Sequence, residues 1–244
     1  MKQTEVHMTI IQRFFAPIKR LFPSWLSNFI RSLATAIIGP IRFAFLSGYV
    51  RSSFKMSAVA RDGSAIPWYT YPLIDFLKFR DFSNKTVLEF GGGQSTQWWA
   101  SKALSVITLE GDLLWFEKIK HTMPANVDLR YVTMDSRQAN VEAVKRSIES
   151  TSIEKFDIIV IDGLYRENMI EIALQYMATG GIIICDNADG YGFAEGFKRS
   201  GLKRVDFFGN APGVVLASCS CIYFDEFADI FSADYDIPAI YNNH

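Results

Sequence analysis

The chain reads as an α/β protein: a three-layer sandwich on a seven-stranded, mostly parallel sheet, with a C-terminal antiparallel hairpin and a helical N-terminal extension. Three observations predict this. From Lys85 onward, short apolar runs alternate with stretches of helical periodicity, the pattern of parallel strands covered on both faces. Five of those runs end in or just before an acid, which folding alone does not require. Asn210-Ala211-Pro212-Gly213 lies between the last two runs as a turn, so that pair reads as a hairpin.

Each element follows in order. Val87–Phe90 is the first strand, and a glycine turn leads from it to a helix over Gln97–Lys102, with the helix start placed at Ser95 or Thr96. Ser105–Glu110 and Val127–Val132 are strands two and three, separated by a helix over Leu113–His121. Val141, Val144 and Ile148 share one face of a helix over Gln138–Ser150. Strand four is Asp157–Ile161. Met169, Ile170, Ala173, Tyr176 and Met177 follow at helical spacing until Gly180-Gly181 stops them, and Ile182–Cys185 is strand five. A short helix near Ala194–Ser200 precedes strands at Arg204–Phe208 and Val214–Phe224.

Residues 1–61 form a separate region, and 62–244 form the site-bearing domain. The first region carries nine Lys/Arg against one acid, and the remainder 16 against 25, so a net charge of −1 describes neither part. Pro17, Pro23 and Pro40 predict several short helices in the first region rather than one. Arg31 and Arg42 cut its apolar stretches into ten-residue windows, too short for a cleaved signal or for the ~20 residues of a spanning helix. Short apolar helices with basic edges suit either a membrane interface or a packing role, against the core or in a homodimer. Cys185, Cys219 and Cys221 lack metal-ligand spacing, and an odd count without a signal peptide points to a reducing compartment. The expected location is the cytoplasm, at the inner face of a membrane if the N-terminal region binds lipid.

The chemistry gathers at the strand ends, where open parallel sheets bind ligands. Those ends are Glu89, Glu110, Asp135, Asp162 and Asp186-Asn187. After Glu89 come Gly91, Gly92 and Gly93, then Ser95 at the expected helix start; such a turn lets the backbone approach a ligand closely and offers unpaired N–H groups. Glu89 would repel a pyrophosphate and attract a cation. Glu110, on the order of 20 residues past the turn, is placed to accept hydrogen bonds from both ribose hydroxyls. A nicotinamide dinucleotide site would instead want a glycine at Thr96 and an apolar residue at Glu89.

Over roughly Lys85 to Phe224, in the segments LEFGGGQST, VITLEGD, FDIIVIDG and GGIIICDNADG, the chain resembles the class I S-adenosylmethionine-dependent methyltransferases, in their small-molecule O-methyltransferase-like branch. The resemblance implies a Rossmann-like fold with S-adenosyl-L-methionine as cofactor. It carries over Glu89 with Gly91, Gly92, Gly93 and Ser95 to the methionine part, Glu110 to the ribose, Asp135 and Ser136 to the adenine, and Asp162 to the cofactor entrance. Asp162 with Asp186-Asn187 also resembles the divalent-metal triad of catechol-type O-methyltransferases. However, Gly163-Leu164-Tyr165-Arg166 stands where those enzymes place catalytic lysine or histidine, so the reading favours no metal.

Without a metal, Asp186 is a general base or substrate-orienting acid beside Asn187, Asp162 and Tyr165, with Tyr165 or Arg166 on the substrate. Tyr69, Thr70 or Tyr71, in the aromatic run 66–72, either line the cofactor mouth or form a packed corner. The expected acceptor is a small molecule or a glycan-like one, methylated on oxygen or nitrogen. An aminopropyl transferase on the same fold is one rival reading, and a membrane-surface scaffold without turnover is another. Nucleic acid is disfavoured as a partner because the site-bearing part is net acidic and offers phosphate no basic track.

Overall fold

The computed structural model describes residues 23–163 and 165–231. The chain divides between Leu46 and Ser47 into two units, earlier than the boundary expected after residue 61.

In the first unit, α1 is a single helix, Ser24–Leu46, with Pro40 inside it. This corrects the expectation of several short helices; Pro17 lies outside the described residues. A proline removes one backbone donor and crowds one carbonyl, a cost of about 3 kcal/mol that flanking turns can absorb without a break. The length reading is corrected as well. Arg31 and Arg42 interrupt the hydropathy but not the helix, whose best window reaches a mean hydropathy of 1.5, so α1 is long and apolar enough to cross a membrane.

The second unit opens with α2 (Tyr49–Lys55) and α3 (Tyr71–Leu77). Then come β1 (Thr86–Phe90), α4 (Gln94–Ala100), β2 (Ser105–Glu110), α5 (Leu113–Ile119), β3 (Val127–Tyr131) and α6 (Arg137–Glu149). The chain continues with β4 (Phe156–Ile161), α7 (Met169–Tyr176), β5 (Met177–Cys185), the single turn α8 (Phe193–Gly196), β6 (Lys203–Asn210) and β7 (Ala217–Phe224). The strands form one seven-stranded sheet in the order β3-β2-β1-β4-β5-β7-β6. β1 to β5 are parallel, whereas β7 runs antiparallel to both β5 and β6. The connection from β3 back to β4 crosses the sheet, and this reversal is where such sheets open a ligand crevice.

Alternation along the strands builds the layers. Leu88, Phe90, Ile107 and Leu109 face a core with Val144 and Ile148 of α6 and most of α7. Val87, Val106, Ile158 and Val160 face the other core, made with Leu73 and Leu77 of α3 and Trp98 and Trp99 of α4. Tyr69, Thr70 and Tyr71 are buried, and Trp99 Nε1 donates to the Tyr69 hydroxyl at 3.1 Å, so this run is a packed corner; only Trp68 reaches the cleft. Cys219 and Cys221 share a face of β7 and are both buried.

Candidate functional site

The carboxyl ends of β1, β2, β4 and β5 open into one cleft of about 1020 Å³. Small-molecule sites run to roughly 1,000 Å³, so this one has room for a nucleoside-sized ligand and a second molecule. At its floor Gly91 takes φ +95°, and a Cβ there would lie 2.8 Å from Gly163 Cα. Any side chain at 91 would therefore prise the end of β1 from the end of β4. The turn passes into α4 at Gly93, whose N–H donates to Thr96 Oγ1 at 3.0 Å.

Two acids hold this turn from different sides. Glu110 ends β2 at the cleft wall; its Oε2 accepts from Gly92 N at 2.8 Å and its Oε1 from Asp112 N at 2.7 Å. The carboxylate is thus fixed by two backbone amides, with lone pairs left for a ligand. Glu89, on the same strand face as Val87, is fully buried beneath the turn. Its Oε2 accepts from Thr96 Oγ1 at 2.5 Å and Thr108 Oγ1 at 3.0 Å, while Oε1 has no hydrogen-bond partner. Burial pushes its carboxyl up to about 7 against the pull of neighbouring hydroxyls. Glu89 therefore underpins the turn rather than lining the cleft, and Ser95 lies at the cleft wall above it.

The far end of this half is built by residues the sequence did not single out. Asp135 and Ser136 are exposed and outside the cleft lining; Ser136 caps α6 by accepting from Ala139 N. Met134 and Asn140 line it in their place, and Asn140 Nδ2 ties them together through Thr133 O at 2.9 Å and Met134 Sδ at 3.0 Å. Trp115, in the first turn of α5, donates from Nε1 to Gly92 O at 2.7 Å and covers the glycine turn.

At the ends of β4 and β5 the arrangement is an arginine clamp. Arg166 Nη2 lies 2.8 Å from Asp162 Oδ1, and Nη1 lies 4.0 Å from Asp186 Oδ2. Nη1 also donates to Asp186 O at 2.7 Å and Asn187 Oδ1 at 3.0 Å, and Nε to Gly163 O at 2.9 Å. The guanidinium carbon sits 4.6 Å from the centre of the Tyr191 ring. Asp186 Oδ1 in turn accepts from Ser220 Oγ at 2.7 Å, a partner missed in the sequence because one serine in β7 carries no signal. Burial raises the carboxyls of both Asp162 and Asp186 above the ordinary range, and Arg166 draws both back down. Among the described residues, Met56, Tyr165, Asn187 and Tyr191 are the non-glycine residues with positive φ, and all four line this cleft. Backbone strain of this kind concentrates at functional sites.

No protein-family model matches the chain, and no curated protein matches it in sequence. Solved structures do. A precorrin-6y C5,15-methyltransferase from Geobacter metallireducens aligns over 71% of this chain and 96% of its own, at 12% identity and a TM-score of 0.51. This is the fold of the class I methyltransferases. An O-methyltransferase from Bacillus cereus in complex with SAH is also similar, at 22% identity over 58% of this chain and 74% of its own, with a TM-score of 0.43. A tRNA (m1A58) methyltransferase from Aquifex aeolicus gives 14% identity, 64% and 69% coverage, and a TM-score of 0.44.

The methyltransferase fold brings two groups into question. S-adenosylmethionine fits the residues present: the cleft has room for it, and the carboxylate of Glu110 at its wall, anchored by two backbone amides, suits a ribose. A divalent metal does not fit. The oxygens of Asp162, Asp186 and Asn187 that would bind one already face the Arg166 guanidinium, and a second cation there would meet a resident positive charge.

Proposed function

We propose that this protein transfers the methyl group of S-adenosyl-L-methionine to an oxygen or nitrogen of a small-molecule or glycan-like acceptor. The observation that carries this reading is the shared cleft: the glycine turn and Glu110 lie on one side, and Asp162, Tyr165, Asp186 and Asn187 on the other. When bound, S-adenosylmethionine supplies an electrophilic methyl group on a sulfonium. The protein's residues then have three tasks.

Gly91, Gly92, Gly93 and Ser95 hold the methionine end, with Glu89 fixing the turn from below. Glu110 orients the ribose, and the adenine lies toward Met134 and Asn140. On the acceptor side, Asp186 takes the single proton released from the attacking hydroxyl or amine, a role helped by a carboxyl held above its ordinary range by burial. Ser220 fixes the Asp186 carboxylate, and Arg166 ties together Asp162, the Asp186 carbonyl and Asn187. Most of the acceleration comes from in-line alignment in this prearranged polar wall. Arg166 in the cleft also disfavours a polycationic acceptor, and with it the aminopropyl transferase reading.

The test is calorimetric titration with S-adenosylhomocysteine. Micromolar binding to the full chain is expected, and no binding at all would end the proposal.

A further inference from the structure

The mouth of the cleft is apolar where a water-facing entrance would be polar. Phe54 is 87% exposed, Met56 83%, Val215 83% and Leu216 77%. They come from α2 and its C-cap and from the turn between β6 and β7, which are fastened together: Tyr49 donates from its hydroxyl to Val214 O at 3.0 Å, and a Cβ on Gly213 would lie 2.8 Å from Ser53 N. Trp68 joins them, donating from Nε1 to Pro212 O at 2.8 Å. Met56, Trp68 and Leu216 line the cleft itself. Large side chains this exposed and this close together mark an interaction surface.

Charge selects the partner. Residues 47–61, on and just after α2, contain Arg51, Lys55 and Arg61 and no acid. Basic residues beside apolar ones match an anionic lipid headgroup layer over a hydrocarbon interior. The other unit has the same chemistry independently. On α1, Arg31 and Arg42 are eleven residues apart and share a face with Asn28 and Thr35, and also with Ile38 and Phe45, while Trp25, Phe29, Leu33 and Ile37 occupy the opposite half. Its apolar window is unburied. A spanning pose would drive Arg31 about 10 Å along the helix into hydrocarbon, whereas an in-plane pose leaves both arginines at the headgroups.

We infer that the cleft mouth docks on an anionic lipid bilayer through Phe54, Met56, Val215 and Leu216. The docking stands apart from the methyltransferase reading. What rests on that reading is the class of acceptor: one held at the bilayer surface, with its nucleophile at Asp186 and an apolar chain passing over the rim.

The full-length protein is sedimented with phosphatidylcholine vesicles and with vesicles containing phosphatidylglycerol. Binding to the anionic vesicles only is expected, with Phe54→Ser/Val215→Ser weakening it about tenfold or more. Neither residue lines the cleft, so S-adenosylhomocysteine titration of this variant should match wild type. A failed titration in wild type would strike the proposed function, separately from the vesicle result. A second measurement isolates the mouth from α1: in Trp25→Phe, brominated lipid should quench tryptophan emission, and adding Trp68→Phe should remove most of that quenching. The docking is overturned if wild type ignores anionic vesicles, if the double serine variant binds as tightly as wild type, or if Trp68→Phe leaves the quenching unchanged.

Discussion

Glu110 ties the glycine turn, and in the proposed function it also orients the ribose; a substitution separates the two. Its carboxylate accepts from Gly92 N at 2.8 Å and Asp112 N at 2.7 Å, and it is 8% exposed. Hydrogen bonds to a charged acceptor contribute about 1.5–3 kcal/mol each, and a buried amide left unpaired costs about 1–3 kcal/mol. Glu110→Ala strands both amides, but water can reach them from the cleft, so a stability loss of about 2–4 kcal/mol is expected. If Glu110 orients the ribose as proposed, the same change also removes two hydroxyl contacts to a charge, worth about 3 kcal/mol or more together, so affinity should fall at least about 100-fold. Glu110→Gln keeps one acceptor oxygen but turns an N–H₂ toward one of the two amides, so it should fall between. The assay pairs thermal unfolding with calorimetric titration of S-adenosylhomocysteine for each variant. If Glu110→Ala is destabilised yet binds as tightly as wild type, the carboxylate serves only to tie the turn and the ribose role is refuted.

Glu89 makes stability depend on pH. Its carboxyl rises from an ordinary 4.5 to about 7, so the folded chain holds a proton the unfolded chain has released between those values. Stability therefore falls as pH rises through that window, by roughly 3 kcal/mol in full above it. Glu89→Gln should melt higher than wild type at pH 8, with the gap closing near pH 4.5; equal melting at both would contradict the burial cost. Gly91→Ala must place a Cβ 2.8 Å from Gly163 Cα at φ +95°, so we expect a loss of about 2 kcal/mol or more and of S-adenosylhomocysteine binding, read by the same two methods. Arg166→Ala frees the oxygens of Asp162, Asp186 and Asn187. Electron paramagnetic resonance should then show Mn²⁺ binding to the variant but not to wild type, and Asp162→Asn in the variant background should abolish it. Mn²⁺ bound by wild type in the cleft would overturn the clamp.

Much of the frame was already written along the chain. Runs such as Val106–Leu109 and Ile158–Ile161 can be buried on both faces only in a covered parallel sheet, so the α/β class and the strand ends followed from periodicity. The glycine turn and Glu110 were legible because backbone approach needs glycine at a fixed place and because the end of a strand is a defined position. Legibility stopped where one residue of register decides the answer. Asp135 lies in the loop after β3 and Asn140 in the first turn of α6, and only the packing of that helix puts Asn140 inside and leaves Asp135 outside. It stopped again at α1, where proline and arginine read as breaks although a helical hydrogen-bond ladder tolerates both.

The sequence by itself determined the sheet, its acidic strand ends and the turn that can cradle a ribose-bearing cation, because these depend on local pattern and backbone freedom. Only the tertiary structure decided that Arg166 turns inward to face the oxygens of Asp162, Asp186 and Asn187, that Ser220 holds Asp186, and that Tyr49 fastens α2 to the β6–β7 turn at Val214. Those contacts join residues from separate loops and strands, and their side-chain directions are set by packing that no single segment contains.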